Sequence, residues 1–528
     1  MVNKVLGRME ALKGFIQIPV KCRGELIGDL PTPCKTLVNN EPARLDIYGR
    51  LWSPSLRGKF STGSLVQVSK AEHGYKVELA VAKGVDTVST VKQAKEMEPN
   101  TASPTTVQGK KSETVILSPH TAQNIRGERQ VLFRQLVQDI PSTTYATFGL
   151  YRYPAKFIPQ VIAYVLKTYA SPGMSIFDPF AGYGTVGIVA RIYGYDYELW
   201  DLNPLLETLH AVATLKPKMV NVTVLLHQMG SFAEEFIPRW SRLHYWFPQE
   251  FLPFLFKVWG FYHSLDDDYL KLLLTIPLLK TTRYFSYDDQ QRQKLSKSRR
   301  SERRISLLLA SDWSTKFFQM VEEEIREVLK GIEEYWKLAP KNMNAIVKGG
   351  IDTLSMDLKE EKDILITSPP YLQSQEYIRQ AKMDLFWLGH SEKEIRELSR
   401  LEIPYRDVTP QPIHSDTFLQ WSNEIEEPHL RKVFNRYFWG VLGALTRLQE
   451  KIGSYIFLFV GRASMRGRPV PIDQIFAEHF TSLGWIHEAT LIDTIVARRM
   501  FSYRINPATG LKDRRTPTEN LVILRRRP

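Results

Sequence analysis

Between residues 157 and 169 the apolar side chains fall at 157, 158, 161, 162, 165, 166 and 169, the spacing of one helical face, and Ser171-Pro172-Gly173 then interrupts it. The pattern next changes period. Residues 174–177 form a short apolar run that predicts a strand, residues 178–184 a glycine-containing turn, and residues 185–193 the following helix. A second strand is expected over residues 197–200, ending at Asp201. Later strand candidates lie at 345–348, 363–367, 455–460 and 520–524, with helical stretches between several of them. Strands alternating with helices predict an α/β fold built on a Rossmann-like, doubly wound sheet.

About 150 residues separate Asp201 from Asp352, far more than a crossover needs, so an inserted, largely helical subdomain is expected there. Its clearest element is a helix that Ser311 can cap, with Phe317, Phe318, Val321, Ile325, Val328, Leu329, Ile332 and Trp336 on one face. Towards the N-terminus, Leu45-Asp46-Ile47-Tyr48-Gly49 and Ser64-Leu65-Val66-Gln67-Val68 are β-rich runs broken by Gly, Pro and Ser. Residues 84–111 turn to Thr, Ser, Lys, Gln and Pro, the composition of a linker. The expected organisation is a small β-rich domain over 1–83, a linker over 84–115, a cofactor-binding half over 116–204, the insertion over 205–343 and a catalytic half over 344–528.

Composition narrows the classes. Apolar residues make up 43% of the chain, enough for a large core. The 70 Lys+Arg against 57 Asp+Glu leave a net charge of +13, which suits a polyanionic partner. With only Cys22 and Cys34, neither a disulfide framework nor a cysteine-rich metal site is expected, and a reducing cytoplasm is the simplest compartment. The apolar stretch at 272–279 is too short to span a bilayer, so no membrane partner is expected.

Asp178-Pro179-Phe180-Ala181-Gly182-Tyr183-Gly184-Thr185 sits at the carboxyl end of an expected strand, where open α/β sheets bind ligands. Gly182 and Gly184 permit a tight turn and close backbone approach, and the next helix offers unpaired N–H groups. The string resembles the S-adenosylmethionine loop of amino-methylating DNA methyltransferases, Asp-Pro-Phe-x-Gly-x-Gly-Thr. That resemblance implies that Asp178, Phe180, Gly182 and Gly184 line the cofactor's methionine end, with Thr185 also in the cofactor-binding set. Asp201 would take the ribose hydroxyls, since a carboxylate accepts two hydrogen bonds at once, and Asp352 would contact the adenine amine. Tyr153-Pro154-Ala155-Lys156-Phe157 is similar to a Tyr-Pro-Ala-Lys-Phe segment that precedes the loop in a subset of the family, which adds Tyr153, Pro154 and Lys156 to the cofactor-binding set.

A second string, Ser368-Pro369-Pro370-Tyr371, follows the strand expected over 363–367. Methylating an exocyclic amine requires its lone pair to be turned out of the ring and towards the methyl donor. The Ser368 hydroxyl and Pro369 carbonyl can accept the amino protons, Pro369 and Pro370 fix the backbone, and Tyr371 offers a stacking face to a base flipped from the duplex. In the family resembled, Ser-Pro-Pro-Tyr is usually associated with cytosine N4 methylation, whereas Asn or Asp at its first position leans to adenine N6. No Pro-Cys nucleophile of a C5 methylase occupies this position.

Arg292, Lys294, Lys297, Arg299, Arg300, Arg303 and Arg304 crowd a segment with Glu302 as its one acid, and Arg283-Tyr284-Phe285-Ser286-Tyr287 lies just before it. Arg283 and these seven residues are the candidate DNA contacts. Arg462, Arg466, Arg468, Arg498, Arg499, Arg504, Arg514 and Arg515 form a second basic set. The resemblance implies a site-specific methyltransferase acting on double-stranded DNA, paired with a restriction endonuclease. An adenine N6 or RNA amino-methyltransferase, and a cofactor-binding DNA-recognition subunit needing a partner, are the alternatives.

Overall fold

The computed structural model describes residues 2–5, 15–17, 34–38, 41–45, 50–52, 65–71 and 74–79, and then residues 128–528 except 155, 293, 373–375, 462 and 495–517. The chain divides into two compact units, Met1–Gly109 and Lys110–Pro528. Strands of the first unit are β1 (Val2–Val5), β2 (Phe15–Gln17), β3 (Cys34–Val38), β4 (Glu41–Leu45), β5 (Arg50–Trp52), β6 (Leu65–Ala71) and β7 (Gly74–Leu79). They form one sheet in the order β1-β6-β7-β3-β4-β5-β2, antiparallel except at the β3–β7 pair.

The second unit is built on an eight-stranded sheet. Its strands are β8 (Glu128–Val131), β9 (Ser175–Asp178), β10 (Asp196–Trp200), β11 (Ala345–Lys348), β12 (Lys362–Thr367), β13 (Ile452–Gly461), β16 (Ile486–Thr494) and β17 (Thr518–Arg525), in the order β11-β10-β9-β12-β13-β17-β16-β8. A separate hairpin pairs β14 (Ala463–Met465) with β15 (Arg468–Val470). In the large sheet only β17 runs against its neighbours. Alternation along the strands fills both faces: Ile176, Ile364, Ile366 and Phe457 enter one core, while Phe177, Leu365, Ile456 and Leu458 enter the other.

Helices cover both faces. On the first lie α1 (Pro159–Tyr169), α2 (Thr185–Tyr193) and α3 (Leu205–Ala213); on the second lie the helices Pro428–Leu448 and Ile472–Ser482. Ser171-Pro172-Gly173 ends the first of these runs, with Gly173 at φ +88. The expected insertion is helical, but it is not a lobe with a core of its own. Its long helix, Trp313–Lys337, buries Phe317, Val321, Ile325, Val328 and Ile332 in the same cluster as the sheet's first face. The Tyr335 hydroxyl donates to Ile188 O at 3.1 Å, tying that helix to α2. Asp312, rather than Ser311, caps it, accepting the Thr315 N–H at 3.2 Å. Among the described residues no helix is long and apolar enough to cross a membrane.

After β9 the chain moves outwards through β10 to β11 and returns to place β12 on the other side of β9. The carboxyl ends of β9 and β12 therefore flank a topological switch point, the crevice where such sheets bind ligands. Residues far apart in sequence are stitched together here: Ile364 and Leu365 pair with Ile176 and Phe177. At the opposite end, the Ser175 N–H donates to Asp363 Oδ2 at 2.8 Å across 188 residues.

Candidate active site

Asp178 closes β9 and is 1% exposed. Its Oδ1 accepts the Phe180 N–H at 3.1 Å, shaping the start of the turn. Burial pushes this carboxyl up to about 7, and the nearby charge of Asp201 adds to the rise. The turn continues through Gly182 at φ +55 and Gly184 at φ +82, a region costly for residues with a Cβ. A Cβ on Gly182 would meet the Tyr153 ring at 3.0 Å, and one on Gly184 would meet His210 Nδ1 at 2.8 Å. Glycine thus keeps the backbone open as a cradle at 182, and lets α2 start against α3 at 184.

Asp201, just beyond β10, locks the turn in place. Its Oδ2 accepts the Gly182 N–H and its Oδ1 the Asn203 N–H, both at 2.8 Å. Burial raises this carboxyl to about 6 against the pull of those two donors.

The turn after β9, the end of β10 and the end of β12 open into one concave cavity, the form small-molecule sites take. Tyr153, Pro154, Lys156, Phe180, Gly182 and Asp201 line it together with Asp352, Ser368 and Pro370. Residues as far apart in sequence as Tyr153 and Ile403 meet there. The remaining expected residues do not face the cavity. Asp178 and Gly184 support the turn, Thr185 is buried in the first turn of α2, and Pro369 is buried behind Ser368. Tyr371 directs its hydroxyl to Glu519 Oε1 at 2.7 Å, and its ring lies against Gly461, where a Cβ would come within 2.6 Å.

Two of the lining residues carry structural duties the sequence does not reveal. The Lys156 ammonium donates to Phe148 O and Tyr151 O, both at 2.8 Å, and sits 3.6 Å from the centre of the Tyr183 ring. Burial pulls it down to about 7. Asp352 Oδ1 accepts from the Arg406 guanidinium at 2.6 Å, so this carboxylate enters the site already paired. Ser368 is different. Among the described residues its hydroxyl has no hydrogen-bond partner, leaving it free to accept from a ligand.

Sequence reasoning missed the far wall. Tyr377, Ile378, Leu401, Glu402 and Ile403 complete the cavity. The Tyr377 ring stacks on that of Tyr153, centroids 6.4 Å apart. Glu402 is 7% exposed, and its Oε1 accepts the Ile378 N–H at 2.9 Å. Burial, with the charges of Glu376 and Asp201 adding, pushes it up to about 7. The one signal in the sequence is a carboxylate inside the apolar string Leu401-Glu402-Ile403-Pro404.

The basic segment splits by burial. Arg283 is inside the protein, 3.3 Å from Asp288 and 3.5 Å from Asp384, and its guanidinium also donates to Gln380 O. Arg304 donates to Ser286 O at 2.6 Å and Asp288 O at 2.8 Å, bracing the same loop. Both are partly buried and spend part of their donor set on the fold. Lys297 lies between the Tyr245 and Tyr287 rings, at 3.7 and 4.3 Å. Lys294 pairs with Glu376 at 2.8 Å, and Arg292 with Asp289 at 3.5 Å. Arg299, Arg300 and Arg303 stand exposed on the helix Arg299–Leu309. Of the second basic set, Arg466 and Arg468 pair with Glu427 and Glu424, each at 2.6 Å. Arg462, Arg498, Arg499, Arg504, Arg514 and Arg515 lie outside the described residues.

No family model matches the chain, and no solved structure does. Among curated proteins, the chain is similar to the Type II methyltransferase M.MvaI of Kocuria varians. The two are 23% identical over 397 residues, which cover 68% of this chain and 86% of that protein.

Proposed function

We propose that this chain is an S-adenosylmethionine-dependent DNA methyltransferase of a restriction-modification system, with the exocyclic N4 of cytosine as its target. The observation that carries the reading is the pairing of β9 with β12, which brings Asp178–Thr185 and Ser368–Tyr371 to adjacent strand ends over one cavity. Similarity to the Kocuria varians Type II methyltransferase over most of both chains supports it.

When bound, the sulfonium cofactor would supply an electrophilic methyl group. The chain's own residues do the rest. Gly182 lets the backbone approach the ligand, Asp201 holds the turn and offers its remaining lone pairs to hydroxyl groups, and the Tyr153–Tyr377 stack closes the cavity over the ligand. Opposite, the Ser368 hydroxyl accepts a proton of the target amine, turning its lone pair towards the cavity. A base inside a duplex cannot reach this point, so it must be flipped out. Exposed Arg299, Arg300 and Arg303, with Arg292 and Lys294, then take the phosphate contacts. The net charge of +13 supports a polyanionic substrate.

Incubating the purified chain with methyl-labelled cofactor and duplex DNA, then digesting to nucleosides, tests the proposal. Label in N4-methylcytosine is the expected result. Label in N6-methyladenine moves the assignment to the other amino target, and DNA binding without transfer leaves a recognition subunit.

A further inference from the structure

The cavity's charge does not balance. Among its described lining residues are the carboxylates of Asp201, Asp352 and Glu402 but one cation, Lys156, whose ammonium is held by two backbone carbonyls. Asp352 is answered by Arg406. Asp201 is answered only by backbone N–H groups, and Glu402 accepts the Ile378 N–H from the start of the helix Tyr377–Trp387. No lysine or arginine side chain forms an ion pair with either among the described residues. Glu402 is also held firmly. Its carbonyl accepts the N–H groups of Tyr405 and Arg406 at 3.0 and 3.1 Å, and the residue preceding Ile378 is Tyr377, stacked on Tyr153 over Gly182.

We propose that Glu402 is a binding residue of this cavity that recognises the positive charge of the methyl donor and so favours it over the neutral thioether left after transfer. The inference rests on the reading of the cavity as a cofactor site. The donor carries a sulfonium, an ammonium and a carboxylate, net +1, whereas S-adenosylhomocysteine has lost the sulfonium charge and is net neutral. A fixed carboxylate in the wall of the cavity attracts the first more strongly than the second. Product would then leave more readily than substrate, which favours turnover.

The groups facing Glu402 define how this preference titrates. Glu376 and Tyr377 stand at the helix start and Asp201 at the end of β10; Glu376 is itself paired with Lys294 and Arg379. Burial, with the charges of Glu376 and Asp201 adding to it, holds the Glu402 carboxyl protonated to about pH 7 in the free protein. The preference should therefore be full at pH 8 and fade at pH 5.5.

Titration calorimetry of S-adenosylmethionine and S-adenosylhomocysteine, into the full chain and into Glu402→Gln, provides the test. The expected result is a donor-to-product affinity ratio at pH 8 that falls about tenfold in E402Q, while product affinity stays close to wild type. Glu402→Asp, which retains the charge, keeps most of the ratio. An unchanged ratio in E402Q, or equal weakening of both ligands, overturns the proposal. Should E402Q fail to fold, the wild-type pH series decides: a ratio that does not change between pH 5.5 and 8 also overturns it. Wild-type protein that binds neither ligand would defeat the cofactor reading itself, a distinct outcome.

Discussion

The amide of Gly182 donates to the carboxylate of Asp201 at 2.8 Å, so the turn after β9 is held by the residue that ends β10. Asp201→Ala removes the acceptor of two backbone N–H groups at once. An unsatisfied buried donor costs ~1–3 kcal/mol. We predict a lowered melting temperature and at least a tenfold loss of cofactor affinity, measured by thermal denaturation and calorimetry on the same preparation.

Gly182→Ala tests the cradle. Its backbone lies at φ +55 and the new methyl group would press on the Tyr153 ring. Left-handed backbone costs ~1–2 kcal/mol for a residue with a Cβ. The expected outcome is a modest loss of stability but a larger loss of cofactor binding, because the methyl group also occupies the approach to the turn. A variant that binds as wild type would remove Gly182 from the site.

Asp178 makes the fold sensitive to pH. In the unfolded chain a carboxyl loses its proton near pH ~4, whereas the folded Asp178 holds it to about 7. The folded state thus binds more protons across that window, and stability falls as pH rises through it. Asp178→Asn keeps the acceptor for the Phe180 N–H but cannot ionise. Its melting temperature relative to wild type should climb between pH 5 and pH 8, by the equivalent of roughly 2–4 kcal/mol. A pH-independent difference would contradict this account of Asp178.

Arg283 and Arg299 should behave oppositely. Removing one partner of a buried ion pair typically costs ~3–5 kcal/mol, so Arg283→Ala should destabilise the protein. Arg299→Ala and Arg303→Ala should leave the melting temperature unchanged and weaken DNA binding. Each should also flatten the dependence of log affinity on log salt by ~0.9 if it contacts one phosphate. Fluorescence anisotropy over a salt series separates the two effects.

Much of the fold could be read from hydrophobic periodicity because its elements are short, regular and bounded by turn residues. The helix Thr185–Tyr193 and the strand Ala345–Lys348 coincide with the segments that periodicity alone outlines. Elements that depend on distant partners were not legible. β8 pairs with β16 at the sheet edge, and the Phe133 N–H reaches Asp493 across 360 residues, a link no local pattern encodes. The same limit applies at the site. The walls contributed by the two motifs were visible as motifs, but Glu402 and Arg406 come from a connecting segment with no periodicity to mark it. Arg283 shows the converse: sequence records its charge and not its burial, and Asp288 and Asp384 decide its role.

In the proposed function, the cavity between the ends of β9 and β12 receives the methyl donor on one side and the target base on the other. Calorimetric titration of S-adenosylmethionine into wild type, Asp201→Ala and Ser368→Ala tests it most directly, with methyl transfer measured in parallel. The account predicts one site per chain, binding lost in Asp201→Ala, and binding retained in Ser368→Ala while transfer drops ~10²-fold. Absence of binding by the wild-type chain, or binding indifferent to Asp201, would contradict it.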